Sequence, residues 1–183
     1  MLVWLTASCV PVLIQQNVNG SNFFNRSWAE FKVGFNDTVG NYWLGNDLLS
    51  QLTLSRRYKL RFDINGRRTR NSRNHTWYYA EYSEFNVSGE SRNYDLHVSG
   101  YSGNAGDALI YSNGVMFTTY DRDNDQWTNS DYDENCAVYE GGGFWYRGCG
   151  WCHVNTIHDR DRPRWHTKRG SLYLQSTRMW LMC

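Results

Sequence analysis

Hydrophobic and polar residues alternate along several stretches of the chain, which is typical of half-buried strands. In one stretch, Tyr78, Ala80 and Tyr82 fall on the same face, separated by residues that would point to the other face. A short apolar run near the start is typical of a core strand. Four segments are predicted as strands of an ordered sheet: 12–16, 58–64, 77–87 and 94–98.

Two short helices are predicted between the first two of these strands. Ser27 and Glu30 have the spacing of a capping box, in which the serine hydroxyl accepts from a helical amide and the glutamate reaches back. Gly34 is placed to end this helix. The second helix follows Asn46. Three leucines are predicted on one side of it: Leu48, Leu49 and Leu52.

The regular pattern fades after Ser99, and Gly, Asn and Asp become frequent through Asp133. A long irregular segment of this kind is typical of a functional or ion-stabilised region. The opening residues are apolar, but they lack a positive segment and are interrupted by Pro11, so they make a poor signal peptide and suggest a missing start. The predicted organisation is an irregular start, a sheet subdomain and a loop-rich subdomain: 1–11, 12–98 and 99–183.

The stretch GRRTRNSRNH at 66–75 is polar and basic and has no periodicity. It predicts a solvated hairpin loop between two strands. A heparin-binding or nucleic-acid-binding patch is the alternative, although no aromatic residue interleaves with the arginines to stack on bases.

Composition favours strands and turns over helix bundles, because the chain has nine Trp and thirteen Tyr but only two Pro. The 19 Lys and Arg against 18 Asp and Glu leave a net charge of +1, so nothing draws the whole chain to nucleic acid or to an anionic membrane. No run of about 18 apolar residues is present, which argues against membrane insertion. The sequence contains no internal repeat and no heptad pattern, so we do not expect an oligomerisation region in this chain.

Cysteines and glycosylation sequons favour an oxidising, extracellular compartment. An odd number of cysteines predicts one or two disulfides and at least one remaining thiol. The five cysteines are Cys9, Cys136, Cys149, Cys152 and Cys183. Five Asn-x-Ser/Thr sequons predict glycosylation if the chain is secreted: Asn19, Asn25, Asn36, Asn74 and Asn86.

The segment CGWCH at 149–153 has several chemical interpretations. Its Cys-x-x-Cys spacing matches a dithiol redox motif, but the flanking residues predict no helix that would lower a thiol pKa. With the following His it matches a c-type haem attachment site, and with Cys136 and His158 it could form a zinc site. A structural cystine in an extracellular loop is the interpretation that needs no further partner.

Three aspartates, Asp121, Asp123 and Asp125, occupy alternate positions in the stretch TTYDRDNDQW. Carboxylates this close repel one another unless a cation or a basic side chain neutralises them, and calcium prefers flexible, oxygen-rich loops. The EF-hand pattern is excluded, because Gln126 stands where the turn glycine is needed. The alternative is an acidic, solvated turn with Arg122 as the partner.

Several segments resemble the C-terminal globular domain of the fibrinogen-related proteins, which include ficolins, tachylectins, tenascins, angiopoietins and fibrinogen. The segments are 79–125, NYWLGNDLLSQLT from Asn41, NCA from Asn135, GFWYRGC ending at Cys149, and SLYLQSTRMW from Ser171. The resemblance extends over about residues 12–180. It implies an extracellular α+β domain with a central antiparallel sheet, short helices and a loop-rich subdomain that binds calcium and ligand.

The resemblance also implies the calcium ligands. The side chains of Asp123 and Asp125 would bind the ion, together with backbone carbonyls near Trp127 and Asn129. Asp121 would support the loop without binding the ion.

The family pattern further implies a disulfide between Cys136 and Cys149, although the residues His-Val-Asn that follow the second cysteine select Cys152 instead. Apolar walls for a bound methyl group would come from an aromatic set: Tyr139, Phe144, Trp145 or Tyr146. The candidate ligand-binding residues are Tyr139, Glu140, Tyr146, Gly148, Cys149, Gly150 and His153.

The function implied is that of a secreted, calcium-dependent module that binds acetylated glycans or glycoproteins, as an innate-immune lectin does. A module that binds a protein receptor or a matrix partner is the alternative, because residues 155–165 are shorter than the usual family stretch. A thiol redox protein built on Cys149 and Cys152 is a third hypothesis. No nucleophile-base-acid set or phosphate loop is found, so an enzyme is not expected.

Overall fold

A computed structural model of the chain describes residues 10–19, 22–128, 135–156 and 164–183. They form eight strands: β1 (Val12–Asn17), β2 (Phe35–Asn36), β3 (Tyr42–Trp43), β4 (Tyr58–Arg67), β5 (Thr76–Val87), β6 (Leu96–Gly103), β7 (Arg164–Thr167) and β8 (Gly170–Met182). The helices are α1 (Trp28–Val33), α2 (Asn46–Ser55) and α3 (Cys136–Glu140), with 3-10 turns at Asn22–Phe24, Glu90–Arg92 and Leu109–Ser112.

The described strands form one sheet in the order β2-β3-β1-β8-β4-β5-β6, with β7 paired to β8 beside this path. Every pairing between them is antiparallel. The predicted strands at 12–16, 58–64 and 77–87 are confirmed as β1, β4 and β5. Residues 68–75 connect β4 to β5, so the predicted hairpin loop is also confirmed. An antiparallel sheet with a few short helices confirms the α+β class.

The hydrophobic pattern predicted neither the central strand β8 nor the short strands β2, β3 and β7. In β8, Leu172 and Leu174 are buried, and then the buried positions shift parity to Thr177, Met179 and Leu181. The shift coincides with an irregularity in the pairing of β8 with β4. A bulge of this kind breaks the period of two, so no single alternating run marks the strand.

The predicted strand at 94–98 starts too early. Asn93 and Tyr94 have φ values of 54° and 51°, in the left-handed region, so the extended backbone of β6 begins only at Leu96. The hydroxyl of Tyr94 donates to Oδ1 of Asp47 over 2.5 Å, and Trp145 Nε1 donates to the Tyr94 carbonyl over 2.7 Å. Tyr94 therefore acts as a buried link between α2 and the core.

Helix α1 carries the predicted capping box. The Ser27 hydroxyl accepts from the Glu30 amide, and Glu30 Oε2 accepts from the Ser27 amide. The helix ends before Gly34, whose φ is 92°.

The buried face of α2 differs from the prediction. Leu49 is buried, but Leu48 is 44% exposed, and the buried face is completed by small or polar side chains: Asn46, Ser50 and Thr53. The Thr53 hydroxyl accepts from the Val87 amide over 3.1 Å, so this face is selected by close contact with β5. The leucine pattern alone could not reveal that contact.

Aromatic rings from both halves of the chain fill the core. The ring of Phe117 lies 5.7 Å from Trp43 and 5.1 Å from Trp145. Phe31 lies 5.0 Å from Phe117 and brings α1 into the same cluster. Edge and tilted contacts of this kind add to the stabilisation that burial gives. The loop-rich region is therefore fixed to the sheet by shared packing.

A buried amide network ties the segment after Cys152 to strand β1. Asn17 Nδ2 donates to the carbonyl of Val154 over 2.9 Å, and Gln15 Nε2 donates to Asn155 Oδ1 over 2.9 Å. Asn155 Nδ2 donates in turn to the carbonyl of Gly143 over 3.0 Å. Buried polar groups that are paired in this way specify one arrangement of the loops.

The sheet is not confined to residues 12–98, because β6 extends to Gly103 and both β7 and β8 lie near the C-terminus. The division into two subdomains remains a prediction, with the sheet drawing on both parts of the chain. Within the described residues, no helix is both long enough and apolar enough to span a bilayer.

Candidate calcium and ligand-binding site

The acidic loop is anchored to helix α1 by its first aspartate. Asp121 Oδ1 accepts from the Trp28 amide over 2.8 Å and from the Thr119 hydroxyl over 2.8 Å. The amide of the first residue in a helix has no partner within the helix, and a carboxylate that accepts from it supplies that partner. Asp121 is thus occupied by contacts within the protein, an arrangement that agrees with a supporting role.

Arg122 does not neutralise the acidic loop. Its guanidinium lies 4.1 Å from the ring centroid of Trp28, and its Nη2 donates to Asn93 Oδ1 over 2.7 Å. The side chain of Arg122 is therefore directed toward helix α1 and toward the turn that contains Asn93. The alternative of an acidic turn paired with Arg122 does not agree with these contacts.

Asp123 and Asp125 form a compact pair of carboxylates. Asp123 Oδ1 accepts from the Asp125 amide over 3.0 Å. Asp125 accepts twice, from the Trp127 amide at Oδ1 and from the Cys136 amide at Oδ2, each over 2.7 Å. Burial raises the pKa of Asp125 above its ordinary value, the two amides oppose this shift, and the charge of Asp123 adds to it.

The two carboxylates supply oxygen donors of the kind that a hard divalent cation prefers. Within the described residues no Lys, Arg or His pairs with Asp123 or Asp125, so their repulsion has no cationic partner there. In the same part of the chain, no group of three or more His, Cys, Asp and Glu side chains could hold a metal. An ion would need backbone carbonyl oxygens as well, as predicted at Trp127, and Asn129 lies outside the described residues.

Helix α3 and the disulfide fix the other side of the loop. Asn135 caps α3 by accepting from the Ala137 amide over 2.7 Å, while its Nδ2 donates to the Thr119 carbonyl over 3.0 Å. Cys136 and Cys149 form a disulfide with Cα atoms 4.9 Å apart, as the family pattern implied. The roles of Asn135 and Thr119 were missed by sequence reasoning, although the quoted NCA segment marks the first of them.

A backbone bond joins the acidic loop to the second half of the disulfide segment. The Gln126 amide donates to the Arg147 carbonyl over 2.9 Å. Gly148 is exposed, whereas Cys149 and Gly150 are half-buried with φ values of 57° and 71°. This turn places backbone groups at the surface directly beside the loop.

Glu140 and His153 lie beneath this turn and are buried. Glu140 Oε2 is 3.1 Å from His153 Nδ1, and His153 Nε2 is 3.0 Å from the Gly150 carbonyl. Two acceptors thus flank the ring of His153, which supports the turn from inside. The ring does not face solvent, so its proposed ligand contact remains a prediction that this arrangement does not favour.

The aromatic residues predicted as pocket walls have different locations. Phe144 and Trp145 are fully buried in the core around Phe117, so the prediction that they line an open pocket is wrong. Tyr146 is also buried, and its hydroxyl donates to the Gly142 carbonyl over 2.8 Å. Tyr139 is 53% exposed. Its ring lies 5.4 Å from Trp127 of the acidic loop.

The remaining alternatives for CGWCH are not supported. Cys149 is bonded to Cys136, so it is available neither as a redox partner of Cys152, nor as a zinc ligand, nor for covalent attachment of a haem. Cys152 is a free, buried thiol, and burial raises its pKa well above the ordinary value, with the Asp107 charge adding to the shift. A thiol of this kind is unreactive. His158 lies outside the described residues, and Cys183 is disulfide-bonded.

The predicted glycosylation sites lie at accessible positions. Four of the asparagines are exposed, and Asn86 on β5 is half-buried. The exposed ones are Asn19, Asn25, Asn36 and Asn74. Exposure permits modification without establishing it, so glycosylation remains a prediction.

The model of one protein family matches residues 6–181, nearly the whole chain, and describes the C-terminal globular domain of fibrinogen beta and gamma chains. This chain belongs to that family. Among curated relatives, microfibril-associated glycoprotein 4 of Mus musculus is 38% identical over 152 residues, covering 80% of this chain and 55% of the relative. The fibrinogen alpha chain of Homo sapiens is 40% identical over 162 residues, covering 80% of this chain and 17% of the relative.

Solved structures of fibrinogen-like domains share the fold. The fibrinogen-like globe domain of human ANGPTL2 matches with a TM-score of 0.78 and 34% identity, covering 93% of this chain and 79% of that one. Lamprey fibrin D-dimer, complexed with the peptide ligand Gly-His-Arg-Pro-amide, matches with a TM-score of 0.71 and 28% identity, covering 92% of this chain and 60% of that one. The chain spans 55% of the length of microfibril-associated glycoprotein 4 and 17% of the length of the fibrinogen alpha chain.

Proposed function

We propose that this fibrinogen-like domain is a secreted, non-enzymatic recognition module that binds calcium at Asp123 and Asp125 and an acetylated glycan or glycoprotein beside it. The observation that carries the proposal is the double role of Asp125, which holds the Trp127 amide with one oxygen and the Cys136 amide with the other. Through these two bonds, the acidic loop and the disulfide-bonded segment from Cys136 to Cys149 form one structural unit. The Cys136–Cys149 disulfide and the exposed sequons support secretion.

The residues of the unit divide the work of binding. A bound calcium ion would supply the positive charge that Asp123 and Asp125 lack among their described neighbours. The backbone amides at Gly148 and Gly150 are placed near the surface, where they can donate to an acetyl carbonyl. The exposed ring of Tyr139 offers an apolar contact for the methyl group. A site this small is typical of millimolar affinity, about 4 kcal/mol, so useful binding requires several copies.

The test is chromatography of the purified domain on immobilised N-acetylglucosamine in calcium. The domain is eluted in one run with a chelator and in another with free N-acetylglucosamine, and immobilised glucose is the matched control. Release by both agents, with no retention on glucose, would support the proposal. Absence of retention, by a domain shown by calorimetry to be folded and calcium-loaded, would contradict the acetyl-binding part of the proposal and leave the calcium-binding part standing.

A second candidate function is the binding of a protein receptor or matrix partner. The observation that favours it is an apolar surface next to the acidic loop, where Tyr120 and Val138 are 46% and 44% exposed. Together with Asn25 they line an open depression of about 380 Å³. The burial of Phe144 and Trp145 also leaves fewer apolar walls for a small acetyl group.

The two candidates respond differently to free sugar and to surface changes. A protein partner bound at the depression would be insensitive to N-acetylglucosamine and would be lost on Val138→Asp. A glycan on Asn25 would cover the same depression, so Asn25→Gln would strengthen such binding in a glycosylating host. Loss of partner binding on addition of N-acetylglucosamine, with Val138→Asp still active, would contradict this second candidate.

A further inference from the structure

A cleft of about 510 Å³ lies at the end of the sheet where three loops meet. The β4–β5 loop contributes Arg68, and the turn between β7 and β8 contributes Lys168 and Arg169. Arg68 is about a hundred positions from Lys168 and Arg169 in the sequence. The basic loop at 66–75 therefore indicated only one of the two segments that make this surface positive. The volume is within the range that small-molecule sites occupy, about 300 to 1,000 Å³.

Within the described residues, no carboxylate is paired with the cations of the cleft. Arg68, Lys168 and Arg169 are exposed, and none of them pairs with a carboxylate of the described residues. Asp107 is the one carboxylate among the described lining residues, and its Oδ1 accepts from the Tyr82 hydroxyl and the Ile110 amide. Because the whole chain has a net charge of +1, this is a local concentration of charge.

Aromatic side chains form the walls between these cations. Trp151 lines the cleft and stacks on Tyr111 at 5.1 Å with an interplanar angle of 8°, while the ring of His166 contacts it edge-on at 5.6 Å. Tyr101 also lines the cleft, and its hydroxyl accepts from the Gly106 amide over 2.8 Å. Both rings are half-buried and held by neighbours, so they present fixed apolar edges to a ligand.

The floor of the cleft is rigid because two loops interlock there. Gly106 has φ 88°, and a Cβ at this position would lie 2.8 Å from Thr167 Cγ2. The carbonyl of Gly106 accepts from Trp165 Nε1 over 2.8 Å. The loop after β6 is therefore fastened to the β7–β8 hairpin, and the cleft exists before any ligand binds. Preformed sites avoid the entropy cost of ordering their loops on binding.

We propose that this cleft binds an anionic saccharide, whose sulfate or carboxylate groups pair with Arg68, Lys168 and Arg169 and whose ring packs on Trp151 or Tyr101. Guanidinium and ammonium groups donate charge-assisted hydrogen bonds to such anions. The described lining residues include only two aromatic side chains, Tyr101 and Trp151, whereas a nucleic-acid strand is bound by a series of stacked rings, which favours a short saccharide. The site uses no residue of the acidic loop, so it is independent of the proposed calcium-dependent site.

The test is calorimetric titration of the full chain, in a chelator and at about physiological salt, with a heparin hexasaccharide as the sulfated probe. A hyaluronan hexasaccharide supplies carboxylates without sulfates, and a short oligothymidine supplies phosphates. The proposal expects binding of the sulfated or the carboxylated probe. The triple variant R68Q/K168Q/R169Q is expected to raise the dissociation constant about tenfold or more.

The matched control variant is R56Q/R57Q/K59Q, which removes the same number of exposed positive charges near the end of α2, outside the cleft. It is expected to change the dissociation constant by less than about twofold. Three results would overturn the proposal: no binding of either saccharide, equal losses in the two triple variants, or tighter binding of oligothymidine than of both saccharides. Because a chelator is present throughout, failure of the calcium-dependent function cannot produce these outcomes.

Discussion

Asp125 Oδ2 accepts a hydrogen bond from the backbone amide of Cys136, with an N to O distance of 2.7 Å. Through this bond the acidic loop is joined to the cysteine that begins the disulfide-closed segment 136–149. Charge-assisted bonds from backbone amides to carboxylates are among the stronger hydrogen bonds in proteins. A change in the charge state of Asp125 will therefore alter the hydrogen bond that holds the start of this segment.

Calcium should stabilise the wild-type domain, and Asp123→Asn should remove that effect. A ligand present at 100 times its dissociation constant stabilises the folded state by about 2.7 kcal/mol. For a chain of this length, each kcal/mol corresponds to about 2 to 4 °C in Tm. Thermal unfolding in calcium and in a chelator measures the difference, which is expected to vanish in the variant.

Asp121→Asn is the matched control for this experiment. It removes one negative charge from the same loop, but Asp121 Oδ1 contacts Trp28 and Thr119, and an asparagine oxygen can keep both contacts. The variant should retain the calcium-dependent shift in Tm. Equal loss of the shift in both variants would show a general effect of loop charge, and no shift in the wild type would contradict the proposed calcium site.

The thiol of Cys152 should resist alkylation in the folded protein. It is 2% exposed, and burial together with Asp107 raises its pKa well above the usual value, so almost no thiolate is present at pH 8. Treatment with iodoacetamide, followed by peptide mass spectrometry, should show labelling of Cys152 only after unfolding in denaturant. Rapid labelling of the native protein would revive the redox hypothesis.

Only β4 keeps one period over its whole length, but β1, β4 and β5 could all be predicted from local pattern, because each contains an apolar or alternating run. Strand β8 could not, since its bulge moves the buried positions from Leu174 to Thr177. The start of β6 was missed for a different reason. Tyr94 is held in a left-handed conformation by the fold, and its alternation with neighbouring residues carries no sign of this.

The candidate site was predictable in its parts but not in its assembly. The spacing of the three aspartates left a cation site and a solvated acidic turn open, and the family pattern implied both the choice of Asp123 and Asp125 and the Cys136–Cys149 pair, of which the pair is now seen as a bond. The burial of Phe144 and Trp145 depends on packing against Phe117, which no spacing rule provides. For the same reason, the basic cleft is revealed only when two distant turns are brought together.

Glu30→Gln should destabilise the domain at neutral pH and have less effect in acid. The amide of Ser27 lowers the pKa of Glu30 below its usual value of 4.5, despite opposing desolvation, and Arg26 adds to the lowering. A lowered carboxyl pKa stabilises the folded state above pH 4.5, and this contribution is lost as the pH falls through the folded-state pKa. Denaturant unfolding of both proteins between pH 7 and pH 3 measures the difference.

Ser27→Ala provides the contrast within the same cap. It removes the hydroxyl that accepts from the Glu30 amide, a loss of about 1 kcal/mol for a typical N-cap. Because a serine hydroxyl does not titrate, part of this loss should persist at pH 3. If the Glu30→Gln difference stayed constant with pH, the charge of Glu30 would not contribute to the cap.

Gly106→Ala should destabilise the domain, whereas Gly148→Ala should be nearly neutral. A left-handed backbone with a side chain costs about 1 to 3 kcal/mol. At Gly106 the new methyl group would also meet Thr167 Cγ2 at 2.8 Å, but at Gly148 no atom lies within 4 Å of the position that a Cβ would take. Denaturant unfolding should therefore separate the two variants clearly, with Gly148→Ala within about 0.5 kcal/mol of wild type.

The double variant Gly106→Ala with Thr167→Ser separates the two causes of this loss. Serine lacks the Cγ2 methyl group but keeps the hydroxyl that donates to the Gly170 carbonyl and accepts from the Arg169 amide. Partial recovery of stability, relative to Thr167→Ser alone, would measure the steric conflict and leave the backbone strain. No recovery would place the whole cost in the backbone, and the interlocking of the two loops would then not be what keeps the cleft open.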